Sequence, residues 1–323
     1  MYRYIVHRLL LAIPTLVGAA VLVFALMRLI PGDVCLVRFS SGGGTVDPHA
    51  LDICRAELGL DRNWLVQLLR FVFGFFQLDF GPSMWTGKPV MLEIAGRLPI
   101  SIEVALLATV IAIAFAIPLG TLSALKQNTW LDMVIRTFAI AGIATPSFWL
   151  GIVCLLAILD ITNAISGTPW MPPIDYVPLW QDPIRNLSVA ILPALTVGYR
   201  YSAVTMRMTR SAMLEVMRED YIRTARAKGL LESLVINRHA LKNALLPVVT
   251  LIGIEFAFLI GGLVVTEQVF NLNGIGRLFV LSVQNQDYNL TQALVMLVVA
   301  VFVLCNLLVD LLYAWLDPRI RFG

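Results

Sequence analysis

Charge is what this 323-residue chain has least of: Asp, Glu, Lys and Arg together make up 14%, against 59% hydrophobic residues. A soluble domain carries roughly 45–50% apolar residues, so this composition belongs in a bilayer. The net charge of +3 is small and segregated, which argues for orientation in a membrane and against a nucleic-acid-reading face. Histidine is equally scarce: His7, His49 and His239 cannot form one local metal cluster, and the four cysteines show no metal-ligand spacing. There is no Gly-x-x-x-x-Gly-Lys-Ser/Thr loop to cradle a nucleotide, no His-Glu-x-x-His and no Gly-x-Ser-x-Gly elbow. The chain is therefore not expected to be an enzyme, and an intramembrane enzyme would need a convergent nucleophile, base or metal set that is absent.

What is present is a set of six apolar runs, each near the roughly 20 residues that a crossing needs. They cover about His7–Ile30, Ile100–Leu125, Met133–Leu159, Ser188–Met208, Leu246–Thr266 and Thr291–Leu316, so the fold class expected is all-α, a polytopic membrane protein. The first run shows no small-x-small cleavage site before Pro31 and reads as a retained helix. Arg3 and Arg8 precede it, Lys126 and Arg136 flank the second connection, and Arg319 and Arg321 close the chain, which puts both termini on the cytoplasmic side.

The organisation expected is thus residues 1–30 as N-terminus and first crossing, 31–99 as an outer segment, 100–316 as a five-helix core, and 317–323 as a cytoplasmic tail. In the outer segment, Trp64–Leu78 is apolar but too short to span and reads as an interfacial helix, while Ser40–Val46 reads as a flexible loop tip. Cys35 and Cys54 share that segment; in an oxidising compartment they would pair, the alternative being two separate buried thiols. Pro118, Pro146, Pro193 and Pro247 fall in or near the second to fifth crossings, as kinks around a cavity or, for the last two, as end punctuation.

Between the fourth and fifth runs lies a long polar segment, 207–245, whose stretch to Pro247 carries eight Lys/Arg against four acids. Apolar residues from Met213 to Ala225 recur at helical spacing and predict one amphipathic helix over about Ser211–Lys228, stopped by Gly229. Ala225 and Gly229 are small residues one turn apart that would let another protein approach the backbone. A basic helix lying on lipid headgroups is the competing reading.

In the fifth run, Gly253, Ala257 and Gly261 form a small-residue stripe suited to close helix packing. Glu255, Gly262 and Thr266 fall on the opposite side of one continuous helix, where a carboxylate should face protein or a water-filled path. Glu255 is either part of a translocation route or a structural partner of Arg200. Glu103, just inside the second run, is expected to meet a helix dipole rather than a substrate.

Several segments resemble one family. YIRTARAKG (Tyr221–Gly229) followed by HALKNALLPVVT (His239–Thr250) is similar to the cytoplasmic loop of ABC-importer permeases, in the peptide/nickel (dipeptide/oligopeptide) branch. PGD at Pro31–Asp33, ELGLD at Glu57–Asp61, TPSFWLG at Thr145–Gly151, NGIGRL at Asn273–Leu278 and LVDLLYAWLDPRIR at Leu308–Arg321 extend the resemblance along the whole chain. The general motif begins Glu-Ala-Ala where this chain has Arg223, Thr224 and Ala225, and Pro247 lies farther downstream than usual.

The resemblance implies six crossings of the type I importer kind and one half of a translocation pathway in a bacterial inner membrane. It implies a second, homologous permease, two ATPase subunits that carry ATP and Mg, and an extracytoplasmic solute-binding protein as partners. ATPase coupling would then fall on Glu219, Asp220, Tyr221, Thr224, Ala225, Lys228 and Gly229. An ion-coupled secondary transporter is the alternative; it predicts internal repeats, and none is visible.

Overall fold

A computed structural model describes residues 2–29, 34–40 and 47–316. The PGD at Pro31–Asp33, nearly all of the Ser40–Val46 loop tip and the basic tail at 317–323 lie outside the described residues. Among those described, the chain is helical, with a single isolated bridge between Pro82 and Pro89. Six helical stretches are long and apolar enough to cross a membrane: His7–Leu29, Val90–Leu125, Ser147–Ser166, Pro183–Val216, Glu232–Gly262 and Tyr288–Leu312.

The chain divides into two compact units whose boundaries fall inside four of its helices. The first unit comprises residues 1–101, 260–264 and 273–304. It begins with α1 (Tyr2–Leu29), α2 (Val34–Ser40), α3 (Pro48–Glu57) and α4 (Trp64–Gln77). The apolar run at Trp64 is thus a separate helix: Asn63 caps it by accepting from Leu65 N, and Leu78 ends it in the left-handed region. Helix α4 packs on α1, burying Ala20, Val23 and Met27 beneath Phe71, Val72 and Phe75. A disulfide joins Cys35 to Cys54 within a small core that includes Val34 and Met84. The unit also holds α13 (Ile275–Gln284) and most of α14 (Tyr288–Leu316), whose Ile275, Leu278, Leu290 and Leu294 form a core with Val90 and Ile94. Buried Asp287 ties this core together, accepting from Ser83 Oγ, Trp85 N and Leu290 N.

The second unit comprises 102–259, 265–272 and 305–323. Helix α5 (Val90–Leu125), whose first part belongs to the first unit, starts ahead of the expected crossing and carries Pro99 and Pro118 within it. The single crossing expected over Met133–Leu159 is instead two helices, α6 (Trp130–Ala144) and α7 (Ser147–Ser166). The break follows from Pro146, which forces Thr145 to an extended ψ of 122° and supplies no N–H to continue the ladder. Helix α8 (Pro183–Val216) overruns its expected end at Met208 by two turns, because Arg207 and Arg210 mark polarity and not a helix stop. Glycines bring α8 close to its neighbours: a Cβ on Gly198 would meet the Ala108 carbonyl at 2.9 Å, and one on Gly142 would meet Ala203 at 2.8 Å.

Beyond α8 come α9 (Asp220–Ala227), a single turn α10 (Glu232–Leu234), a π-helical turn at Val235–Ala240, α11 (Leu241–Gly262) and α12 (Val264–Val269). The stripe on α11 packs as its composition suggests: Gly253 faces Val309, Gly261 faces Val298, both on α14, and Ala257 is fully buried.

Candidate functional site

The polar segment does not form the single helix expected over Ser211–Lys228. Helix α8 stops at Val216, Glu219 takes an extended ψ of 146°, and α9 restarts at Asp220. Periodicity alone would run straight through, but tertiary burial wins: the bend lets Ile222 and Ala225 fold back onto Ala212, Met213, Val235 and Ala240. Ile222 is 0% exposed and Ala225 7%. Ala225 is therefore a seat for α9 on its own chain, and not the point of close approach for another protein that its size suggested.

The residues left facing out are Glu219, Asp220, Tyr221, Thr224, Lys228 and Gly229. They are held, not loose. Arg223 bridges Asp220 at 3.2 Å, and Arg226 clamps Glu232 through Nε at 3.1 Å and Nη2 at 2.6 Å. Asn243 Nδ2 donates to Tyr221 Oη at 2.7 Å, anchoring α9 to α11. Gly229 sits at φ +76° and completes the helix end, its N–H donating to Arg226 O while Leu230 N donates to Ala225 O. A Cβ placed there meets no atom of the described residues within 4 Å, so the position is open at its first atom.

Beneath this surface lies a cluster that sequence reading did not single out. Asp132, fully buried in the first turn of α6, receives Arg210 Nε at 2.9 Å, Arg210 Nη2 at 3.0 Å, Asn128 N at 3.1 Å and Ser123 Oγ. The Arg210 guanidinium, backed by these other donors, holds the Asp132 carboxyl well below the usual carboxylate range. Arg210 lies one turn and a half before the end of α8, so the pair fixes the root of the bend that presents α9.

The second expected group is only partly assembled. Helix α11 ends at Gly262, where a glycine pair weakens the helix, and Thr266 belongs to α12 beyond the break at Leu263. Glu255, Gly262 and Thr266 therefore do not share one face of a continuous helix. Gly262 is exposed and Thr266 buried. Glu255 is 8% exposed and accepts from Thr205 Oγ1 of α8 at 2.7 Å; among the described residues Arg200 makes no ion pair with it. Glu103 also departs from expectation. Helix α5 begins at Val90 and its first-turn acid is Glu93, so Glu103 lies too deep for the terminal dipole. It accepts from Tyr176 Oη at 2.9 Å, and burial followed by this bond pushes the Tyr176 phenol up to about 12.

Residues 116–322 match the family of binding-protein-dependent transport system inner membrane components, and residues 1–105 match the N-terminal region of such membrane components. The chain is 40% identical over 322 residues to a peptide transport system permease protein of Brucella suis biovar 1 and to the glutathione transport system permease protein GsiC of Salmonella paratyphi A, covering all of each chain. The solved MetNI methionine ABC transporter in its inward-facing form shares the fold, with a TM-score of 0.52 at 18% identity over 70% of this chain and 97% of that one. The chain belongs to the binding-protein-dependent transport system inner membrane component family. It is a multi-pass permease subunit of an ABC importer, a transport component and not an enzyme, and its family implies ATPase and binding-protein partners.

Proposed function

We propose that this permease carries peptides or related small molecules inward and takes its mechanical drive through α9. The outward residues Glu219, Asp220, Tyr221, Thr224, Lys228 and Gly229 meet an ATPase subunit, and Ala225 and Ile222 transmit the push into the bundle. The observation that carries this reading is the division of labour on one short helix: an apolar face fully seated on its own chain and a polar face left open. A rigid seat converts displacement of α9 into displacement of α8 and α11, as coupling between two states requires. ATP and Mg belong to two partner ATPases, a second homologous permease completes the pathway, and an extracytoplasmic binding protein delivers cargo. The excess of basic residues in 207–245 supports a cytoplasmic placement for that segment and for both termini, with 31–99 and the Cys35–Cys54 disulfide on the oxidising side. Peptide cargo is supported by the names of the relatives; glutathione falls in the same chemical class.

Uptake into proteoliposomes is the direct test. It should require ATP, the ATPases and a binding protein; uptake driven by an ion gradient alone would overturn the proposal in favour of a secondary transporter. Gly229 sharpens it. Because φ is +76°, any replacement strains the backbone by about 1 kcal/mol, so Gly229→Ala serves as the strain control. Gly229→Trp should insert normally yet uncouple ATP hydrolysis from uptake, with Gly229→Ala close to wild type. Equal behaviour of the two variants would reject a contact at this position. Glu255 is assigned to the pathway: Glu255→Gln keeps the shape and the Thr205 contact and should lower uptake about tenfold, a barrier change of about 1.4 kcal/mol. Wild-type uptake by that variant removes Glu255 from the route.

A further inference from the structure

A cavity of about 400 Å³ in the first unit opens where α1 ends, bounded by α4, the 79–84 turn and the first turn of α14. Its lining is not that of a packing defect. Three arginines, Arg28, Arg62 and Arg70, share it with two acids, Glu57 and Asp79, and with Gln292, which is 5% exposed. Among the described residues none of these arginines forms an ion pair, although two carboxylates line the same space. Arg28 is preset: its guanidinium lies 5.2 Å over the Phe24 ring and donates to Gln67 Oε1. Asp79 Oδ1 accepts from Gly81 N, which fixes that carboxylate, and among the described residues its second oxygen receives no donor.

The surroundings say at what depth this sits. Arg28 is the penultimate residue of a 23-residue apolar span, where a cation lies at headgroup level. Next to the cavity, α4 turns Trp64, Leu69 and Phe73 outward, each more than half exposed, a surface that suits acyl chains and not water.

We propose that this cavity is a headgroup site for phosphatidylethanolamine. The arginine forks take the phosphodiester, and the Glu57 and Asp79 carboxylates accept from the primary ammonium. The acyl chains run along the exposed face of α4. Opposite charges on one small lining match a headgroup that itself carries both signs with donors on the cationic end. Phosphatidylcholine offers the same phosphate but a quaternary ammonium with no N–H, so it satisfies half the site.

The test is native mass spectrometry of the full-length chain in maltoside micelles, titrated with dioleoyl-phosphatidylethanolamine or dioleoyl-phosphatidylcholine. Wild type should retain the ethanolamine lipid in preference. Arg62→Gln/Arg70→Gln should weaken it about thirtyfold, from the typical worth of two basic side chains at a lipid phosphate, and Arg62→Lys/Arg70→Lys should restore much of it. Glu57→Gln/Asp79→Asn should abolish the preference for ethanolamine over choline. All the substituted side chains are exposed, and melting temperatures near wild type verify the fold. Equal retention of the two lipids by wild type, or undiminished binding by the arginine-to-glutamine pair, overturns the proposal. So does displacement of the lipid by a dipeptide, which would make the cavity a cargo site.

Discussion

Two buried carboxylates of the second unit, Asp132 and Glu255, are both held by α8 and are built on opposite plans. Asp132 is saturated: a bidentate arginine, a backbone N–H and a hydroxyl converge on its two oxygens. Glu255 accepts from one neutral hydroxyl, Thr205 Oγ1, and among the described residues nothing balances its charge. A buried acid with every lone pair and its charge answered is a fixed strut; one left short of donors has capacity for something that comes and goes. The first plan suits the root of the α9 lever, which must not yield. The second suits a passage that exchanges water or cargo.

The contrast is broken most forcefully at the strut. Asp132→Ala strands the Arg210 guanidinium, which is about one-fifth exposed, and should cost about 3 kcal/mol, seen as a large drop in melting temperature of the purified protein and loss of uptake. Replacing both partners, Asp132→Leu with Arg210→Met, should recover most of the stability, since apolar pairs of similar volume often match a buried ion pair. Failure of the double variant to recover would mean that the pair specifies geometry beyond its charge. Next in size is Thr205→Val, which removes, at constant shape, the one donor to Glu255 among the described residues. It should cost about 2 kcal/mol, the penalty of a buried acceptor left unmade, and Glu255→Gln in the same background should return part of it. A change below about 0.5 kcal/mol would show that water already satisfies Glu255 and would strengthen its place on a wet path.

These clusters also mark where sequence stops being legible. Helices with apolar runs and clear caps were readable: α4 is bounded by Asn63 and Leu78 close to the limits its composition suggests, and Gly229 ends α9 as a glycine with positive φ should. The stripe Gly253, Ala257, Gly261 announced the α11–α14 contacts because spacing of four residues is a local property. The α8–α9 bend was not readable, since its cause is burial of Ile222 and Ala225 on residues drawn from α8, the π turn and α11. The Asp132–Arg210 pair spans 78 residues and is a tertiary fact. In the sequence Arg210 is one more positive charge in a basic segment and Asp132 carries no mark of its pairing; an acid three residues after Thr129, at the start of an apolar run, is the available signal, and it reads equally as a helix N-terminus. Wheel arithmetic failed at Thr266 for the opposite reason, because it assumed continuity through Gly261 and Gly262.

The smallest expected effect is the most informative about the strut itself. Ser123→Ala deletes one of the donors to Asp132 while Arg210 and Asn128 N remain, so it should cost about 1 kcal/mol, less than Thr205→Val although both remove one hydroxyl from a buried carboxylate. The difference between these two matched deletions measures redundancy directly. Acid titration adds a second reading. The folded Asp132 pKa is depressed, so its contribution is full above the unfolded carboxyl value near 4 and is lost as pH falls through the lower folded value. Removing the Ser123 bond takes away one of the interactions that depress it, so the folded pKa rises; the acid-induced loss begins near the unfolded value in both proteins but levels off at a higher pH, and totals less, in the variant. Melting temperatures of wild type and Ser123→Ala from pH 6 down to about 2, where the variant's curve should flatten first, check this. Parallel curves would mean that Arg210 alone sets the titration and that the serine contributes only packing.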